Sequence, residues 1–392
     1  MTRMLKLVLL ISLLAAANAS AQSVTRSTFN ALEKVQVMME AEQFAEAVVE
    51  LEALAIKTEK NPYDFALTSQ YLAHASVMLD DQPRARSALE AALASEGLPD
   101  DLRSSMNLFY GTILLGDEEF ELARDVLADW FAQAELPTPS QIFSYGYAVY
   151  MSGDVAESQS LVARAISDSP NPSESWYQLF YRILFDQKKY PAAEEILKGM
   201  LTRAPTDEGT WRLLASHYLQ LEESRDGLAA LMVAYSNELL ESDSDLKQIV
   251  ALWGYIDAPD RGARLLEEWL TAERLERDAD TLKQLGNLWL MARERKNAMS
   301  VLQQAAEMSP DGRTYEMLGG IHFEEEEWTE AYTAYTNAMR IGDLEEPMRI
   351  SLLAGISAYR AGNFDDAKVA LEVATESDEY RDQAESVLRQ IR

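Results

Sequence analysis

Cysteine is missing from the chain, which excludes disulfides, thiol nucleophiles and thiolate-held metals. Histidine is scarce. The three present, His74, His217 and His322, stand more than a hundred residues apart. No HExxH pair or Cys/His cluster accompanies them, so a metal centre finds no ligand set. No GxSxG elbow or Ser/His/Asp order occurs, and Gly319-Gly320 is not followed by a phosphate-loop pattern. The carboxylates Glu324–Glu327 read as a solvated turn, because a catalytic pair needs a cleft that desolvates one member. The expectation is a non-enzyme with no cofactor and no metal.

Positive charge is also in short supply. Lys and Arg total 35 against 65 Asp and Glu, a formal net charge of −30. Such a surface repels a phosphate backbone along most of its length and disfavours broad contact with anionic lipid headgroups. Glycine and proline are sparse at 17 and 12, and they fall mainly between apolar-periodic segments, as an all-helical chain requires.

Long apolar runs are absent too. The longest, Leu7–Leu14, is too short for a stable bilayer span. Arg3 and Lys6 precede it, and Ala17, Ala19 and Ala21 follow as small-residue cleavage positions. Met1–Ala21 therefore reads as a cleavable export signal, 1–21, cut after Ala21 or after Ala19. An uncleaved anchor is the alternative. With no cysteine after the cut, a lipoprotein anchor is closed. The alanine-rich cleavage region points to the periplasm of a Gram-negative bacterium.

What the chain has in abundance is one pattern, repeated. Asp311–Asp343 holds two short amphipathic helices. Tyr315, Leu318, Gly319 and His322 share a face of the first, and Ala331, Tyr335 and Ala338 share a face of the second. Gly319 and Ala331 leave room for two backbones to approach. One hairpin cannot bury its apolar face alone and needs similar neighbours. With position 1 at Gly312, the small or apolar positions are 4, 7, 8, 11, 20, 24, 27 and 32. A frame from Ala279 returns Leu282, Leu285, Gly286, Trp289, Ala298, Leu302, Ala305 and Pro310. Units start near 28, 66, 104, 139, 174, 208, 243, 279, 312 and 348, with spacings of 33 to 38 residues. The Asp243 unit is the most degenerate, with Gly262 or Ala263 at position 20. A last helix at about 379–391 has the charged residues of a polar cap.

On these residues the chain resembles the tetratricopeptide repeat family, whose unit is a helix–turn–helix of about 34 residues. The resemblance covers the chain after about residue 28. It implies an all-α fold, a right-handed α-solenoid of about ten such units over 22–392 with a C-terminal capping helix. It also implies a concave surface lined by positions 2, 5, 9 and 12 of each first helix. Those positions hold an aromatic strip, Phe143, Tyr147 and Tyr150, then Arg182, and then Arg212, Lys247 and Lys283 at position 5 of three successive units. Asn287 follows Lys283 at position 9, and Arg313 stands at position 2 of the next unit. Lys283 with Asn287 looks like half of the family's carboxylate clamp; the other half is missing, since position 5 of the following unit is Glu316. A cation row would favour an acidic peptide or a C-terminal carboxylate. The same charges also fit an ordinary helix surface paired with neighbouring Asp and Glu.

A narrower resemblance is to periplasmic tetratricopeptide proteins encoded beside TonB–ExbB–ExbD systems. It rests on the exported N-terminus leading into LEKVQVMMEAEQFAEAVVELEAL, on NPYDFALTSQYLAHA and LPDDLRSSMNLFYG, and on the AEMSPDGRTYEMLGGIHF junction. It implies a protein or peptide partner among TonB, ExbB and ExbD components, no nucleic acid, and no stable membrane insertion of the mature chain. The alternatives are a scaffold for cell-envelope or outer-membrane assembly, or an accessory subunit of an envelope enzyme.

Overall fold

Leucine and alanine at fixed repeat positions dictate the architecture. In the computed structural model, which describes residues 24–96 and 98–391, the chain forms twenty-one α-helices and no strand among the described residues. The export segment 1–21 lies outside the described residues. No helix among them is long and apolar enough to cross a membrane. The chain divides into two compact units, one ending at Met200 and the other beginning at Leu201.

The first unit comprises five hairpins. They are α1 (Arg26–Glu40) with α2 (Phe44–Thr58), α3 (Pro62–Met78) with α4 (Gln82–Leu93), α5 (Asp100–Gly116) with α6 (Phe120–Gln133), α7 (Pro139–Met151) with α8 (Val155–Asp168), and α9 (Glu174–Asp186) with α10 (Tyr190–Arg203). Each second helix packs on the next first helix, α2 on α3, α4 on α5, α6 on α7 and α8 on α9. Position 24 supplies the central side chains. Leu51, Leu89, Leu127, Val162 and Leu197 are each fully buried. Burial of such a side chain contributes about 1.5–3 kcal/mol relative to exposure. The early hairpins differ in length, since α3 and α5 run to 17 residues against 13 in α7 and α9. At the start of α1, Asp64 is buried and accepts hydrogen bonds from the Thr25 and Thr28 hydroxyls at 2.6 and 2.8 Å.

The second unit repeats the arrangement with α11 (Glu208–Gln220) and α12 (Ser224–Ser236), α13 (Asp243–Tyr255) and α14 (Pro259–Thr271), α15 (Ala279–Met291) and α16 (Arg295–Met308), α17 (Gly312–Glu324) and α18 (Trp328–Ile341), and α19 (Pro347–Arg360) and α20 (Phe364–Ala374). Its position-24 ladder is Leu231, Leu266, Leu302, Tyr335 and Leu371, none more than 2% exposed. In the degenerate Asp243 unit Gly262 and Ala263 are both buried. A Cβ at Gly262 would meet Trp253 Cβ at 2.8 Å, so only glycine fits there. The short α21 (Arg381–Leu388) lies over α19 and α20 with Ala384 as its buried residue.

Proline both opens and follows helices, Pro170, Pro205 and Pro310 standing two residues beyond the ends of α8, α10 and α16. Pro62, Pro139, Pro259 and Pro347 each take the first helical position, where the missing N–H costs nothing. Glycine is replaced where it would be expected. All ten hairpin turns place one residue in the left-handed region, and only Gly153 and Gly362 are glycine there. The other eight are Glu42, Asp80, Glu118, Lys188, Glu222, Asp257, Arg293 and Glu326, with φ of 58–64°. The residue after each closes a six-residue bond back to the helix, as Glu294 N–H does to Trp289 C=O at 2.8 Å.

Candidate functional site

Helix-capping acids place the charges of the second unit. Asp311 caps α17, its Oδ1 accepting the Thr314 N–H at 2.8 Å and its Oδ2 the Thr314 hydroxyl at 2.8 Å. Asp278 caps α15 through the Thr281 N–H at 2.7 Å. Ser242 caps α13, and its hydroxyl accepts from the Asp245 N–H at 3.2 Å. A carboxylate at a helix start is favoured by the dipole, and each of these is held in one orientation.

The position-5 cations of the preceding first helices meet these acids. Arg212 on α11 grips Asp245 on α13 with Nε and Nη2, both at 2.9 Å, and also contacts Glu208 at 3.1 Å. The Arg212 hydrogen bonds hold Asp245 below the usual carboxylate range, against the opposing push of burial. Lys247 on α13 acts on Asp278, whose pKa is lowered first by the Thr281 N–H, against burial, then by the Thr281 hydroxyl and then by this charge. Lys283 on α15 sits between Asp280 at 2.7 Å and Asp311 at 3.3 Å, and Asp280 chiefly raises its pKa. At position 5 of the next unit the polarity reverses, and Glu316 takes Arg349 of α19. Arg313, exposed on α17, pairs with Glu345 at 3.2 Å. Arg212, Lys283 and Arg313 of the sequence-read row thus each pair with a carboxylate, while Lys247 acts on Asp278 only through its charge.

Beside this ladder a cavity of about 610 Å³ opens across α13, α15 and α17. Lys283, Asn287 and Arg313 line it together; Arg212 and Lys247 do not. The remaining wall is mainly apolar, from Ala251, Gly254 and Tyr255 on α13, Leu288 and Met291 on α15, and Met317 on α17, with Gln284, Asp280 and Asp311 completing it. Gly254 forms part of the floor, where a Cβ would sit 3.1 Å from Leu288 Cδ2. Tyr255 and Met291 are 73% and 55% exposed. Reading positions 2, 5, 9 and 12 overlooks both, because they occupy position 13 of their units. A signal was there: an apolar residue stands at position 13 in these two units, where the flanking units have Gln220 and Glu324.

The other sequence-read residues form a separate cluster in the first unit. Phe143 of α7 stacks on Trp176 of α9, with ring centroids 4.8 Å apart and planes at 11°, and lies parallel to Tyr147 at 6.5 Å. Tyr150 donates its hydroxyl hydrogen to Asp186 at 2.6 Å. Burial, then that hydrogen bond, pushes the Tyr150 phenol up to about 12, while nearby Arg182 opposes the rise. Arg182 itself is exposed. Trp176, the partner that flattens this strip, lies at position 3 and was not among the groove positions. Among the described residues no group of three His, Asp or Glu is placed to hold a metal ion.

No family model matches the chain. No curated protein matches it either. Solved structures similar to it are tetratricopeptide repeat proteins. One from Parabacteroides merdae is 14% identical over 64% of this chain and 97% of that one, with a TM-score of 0.36. YrrB, described as having an unusual peptide-binding site, is 17% identical over 49% of this chain and 97% of its own, with a TM-score of 0.40. The repeat domain of P58(IPK) is 16% identical over 93% and 99%, with a TM-score of 0.26.

Proposed function

We propose that the chain is a periplasmic protein-interaction scaffold, and that the cavity on α13, α15 and α17 receives a segment of a protein partner. The observation that carries this reading is the cavity itself: three successive first helices present exposed Tyr255 and Met291 beside the Asn287 amide. Tyrosine and methionine are enriched at interaction surfaces, and here both stand exposed at one concavity. Packed hairpins keep the surface preformed, so little conformational entropy is lost on binding. Export through Met1–Ala21 places the partner in the envelope. The favoured setting is energy transduction with TonB, ExbB and ExbD components; envelope or outer-membrane assembly is the second.

The test is in-cell photocrosslinking from Met291, with a matched crosslinker at exposed Val233 on α12 as control. Partners captured from Met291 and not from Val233 support the groove. TonB, ExbB or ExbD among them supports the energy-transduction setting, and envelope-assembly proteins support the second. Equal capture from both positions overturns the groove assignment. Recovery of the chain from the cytoplasm, uncut, overturns the export reading.

A further inference from the structure

We infer that the partner segment seated on α13, α15 and α17 carries an apolar side chain flanked by lysine or arginine, and not an acidic run or a free C-terminal carboxylate. The inference rests on the reading of this cavity as a partner site and names the chemistry that site selects.

The cavity has no cation to offer. Its four charged lining residues cancel, Lys283 and Arg313 against Asp280 and Asp311. Lys283 is held between both carboxylates at 2.7 and 3.3 Å. A peptide carboxylate reaching Lys283 would compete with Asp280 and with Asp311, which is fixed as the α17 cap by two hydrogen bonds from Thr314. Both carboxylates repel it at short range. Arg313 is likewise occupied by Glu345.

What the cavity does offer is apolar surface and amides. Tyr255, Met291 and Met317 can close on an aliphatic or aromatic side chain, and thioethers adapt to its shape. The exposed side-chain amide of Asn287 lines the cavity and can bond the main chain of an extended segment.

The rim then decides the sign of the flanks. Asp280 and Glu345 extend into solvent with side chains 83% and 78% exposed, and Glu346 follows at 53%. The opposite end of α17 runs into Glu324–Glu327. These seven carboxylates outnumber the four cations that pair with them, Lys283, Arg313, Arg349 and Arg295. Within a chain of net charge −30 the excess repels an acidic segment and attracts a basic one, over a screening length of about 8 Å at physiological salt. Charge complementarity of this kind selects partners and raises association rates.

Three fluorescein-labelled 12-residue peptides test this on the full chain by anisotropy. The first has a Leu-Phe centre flanked by lysines, the second replaces lysine by glutamate, and the third replaces Leu-Phe by Ser-Ser. The first is expected to bind at least about tenfold more tightly than either twin, a difference of about 1.4 kcal/mol. Met291→Ser weakens it about fivefold or more, and Asp280→Asn weakens it and flattens its salt dependence. Tighter binding of the glutamate peptide overturns the inference and leaves the scaffold reading standing. Equal binding of the Ser-Ser peptide also overturns it, because charge alone is then being read. If none binds, and panning a random 15-residue phage library yields no peptide whose binding Met291→Ser abolishes, the scaffold reading fails together with the inference.

Discussion

Arg212 and Asp245, 33 residues apart, form a two-point ion pair in which a half-exposed guanidinium neutralises a buried carboxylate, with both N–O distances 2.9 Å. The pair staples α11 to α13 across a repeat boundary. Lys283 with Asp311 makes the same staple between α15 and α17, and Glu316 with Arg349 makes it with the signs exchanged between α17 and α19.

The first prediction concerns that pair. Arg212→Ala leaves Asp245 buried and unpaired, and is expected to cost about 1–3 kcal/mol, below the full value for a buried pair because Arg212 is solvent-screened. A double-mutant cycle with Asp245→Ala should return a coupling of about 1 kcal/mol or more. Denaturant melts of the four variants measure it, and a coupling near zero would show a mere surface contact.

The second concerns acid. Asp245, Asp278 and Asp311 are all held below the usual carboxylate range. For Asp245 the Arg212 bonds outweigh burial; for Asp311 burial pushes up, but the Thr314 bonds and Lys283 prevail. An unfolded Asp titrates near about 3.9, so below that pH the unfolded chain binds more protons than the folded one. The stabilisation is therefore complete above about pH 5 and is lost as pH falls through the folded values. Lys283 is raised instead, so its contribution is present at neutral pH and lost only in strong alkali. Thermal melts from pH 3 to 7 should fall steeply at the acid end, and Asp245→Asn should start lower and fall less.

The third separates two adjacent glycines. A Cβ on Gly319 would sit 2.6 Å from the Tyr335 ring, while a Cβ on Gly320 would meet nothing within 4 Å. Gly319→Ala is expected to destabilise by about 1–3 kcal/mol through overpacking. Gly320→Ala is expected to stabilise by about 0.5–1 kcal/mol, because alanine loses less backbone entropy inside a helix. Opposite shifts in melting temperature are the readout.

The fourth concerns the turns. Arg293 is exposed and holds φ at 60°, a conformation that strains an L residue. Arg293→Gly should raise stability by about 0.5–1 kcal/mol, the relieved strain exceeding the added unfolded-state entropy. The same change at exposed Arg264, inside α14, should lower it by about 1 kcal/mol.

The helical hairpins and the residues at their crossings are legible in the sequence. Gly286 and Leu302, Gly319 and Tyr335, and Gly355 and Leu371 could be paired from spacing alone, because a small residue facing a large one within a single hairpin is a local demand of helix geometry. The turn conformations were not legible. Eight of the ten left-handed positions in the hairpin turns carry a charged residue, so the missing glycine concealed them. The cations were found, but not their partners. Lys283 and Asp311, or Arg212 and Asp245, meet only through the offset at which one repeat stacks on the next, and that offset is decided by tertiary packing. For the same reason Lys283, Asn287 and Arg313 converge on one cavity while Lys247 does not, and Tyr255 and Met291 become its walls. Periodicity is written along a helix; which side chains share a concavity depends on how three helices are turned against one another, and that angle is set by packing between repeats.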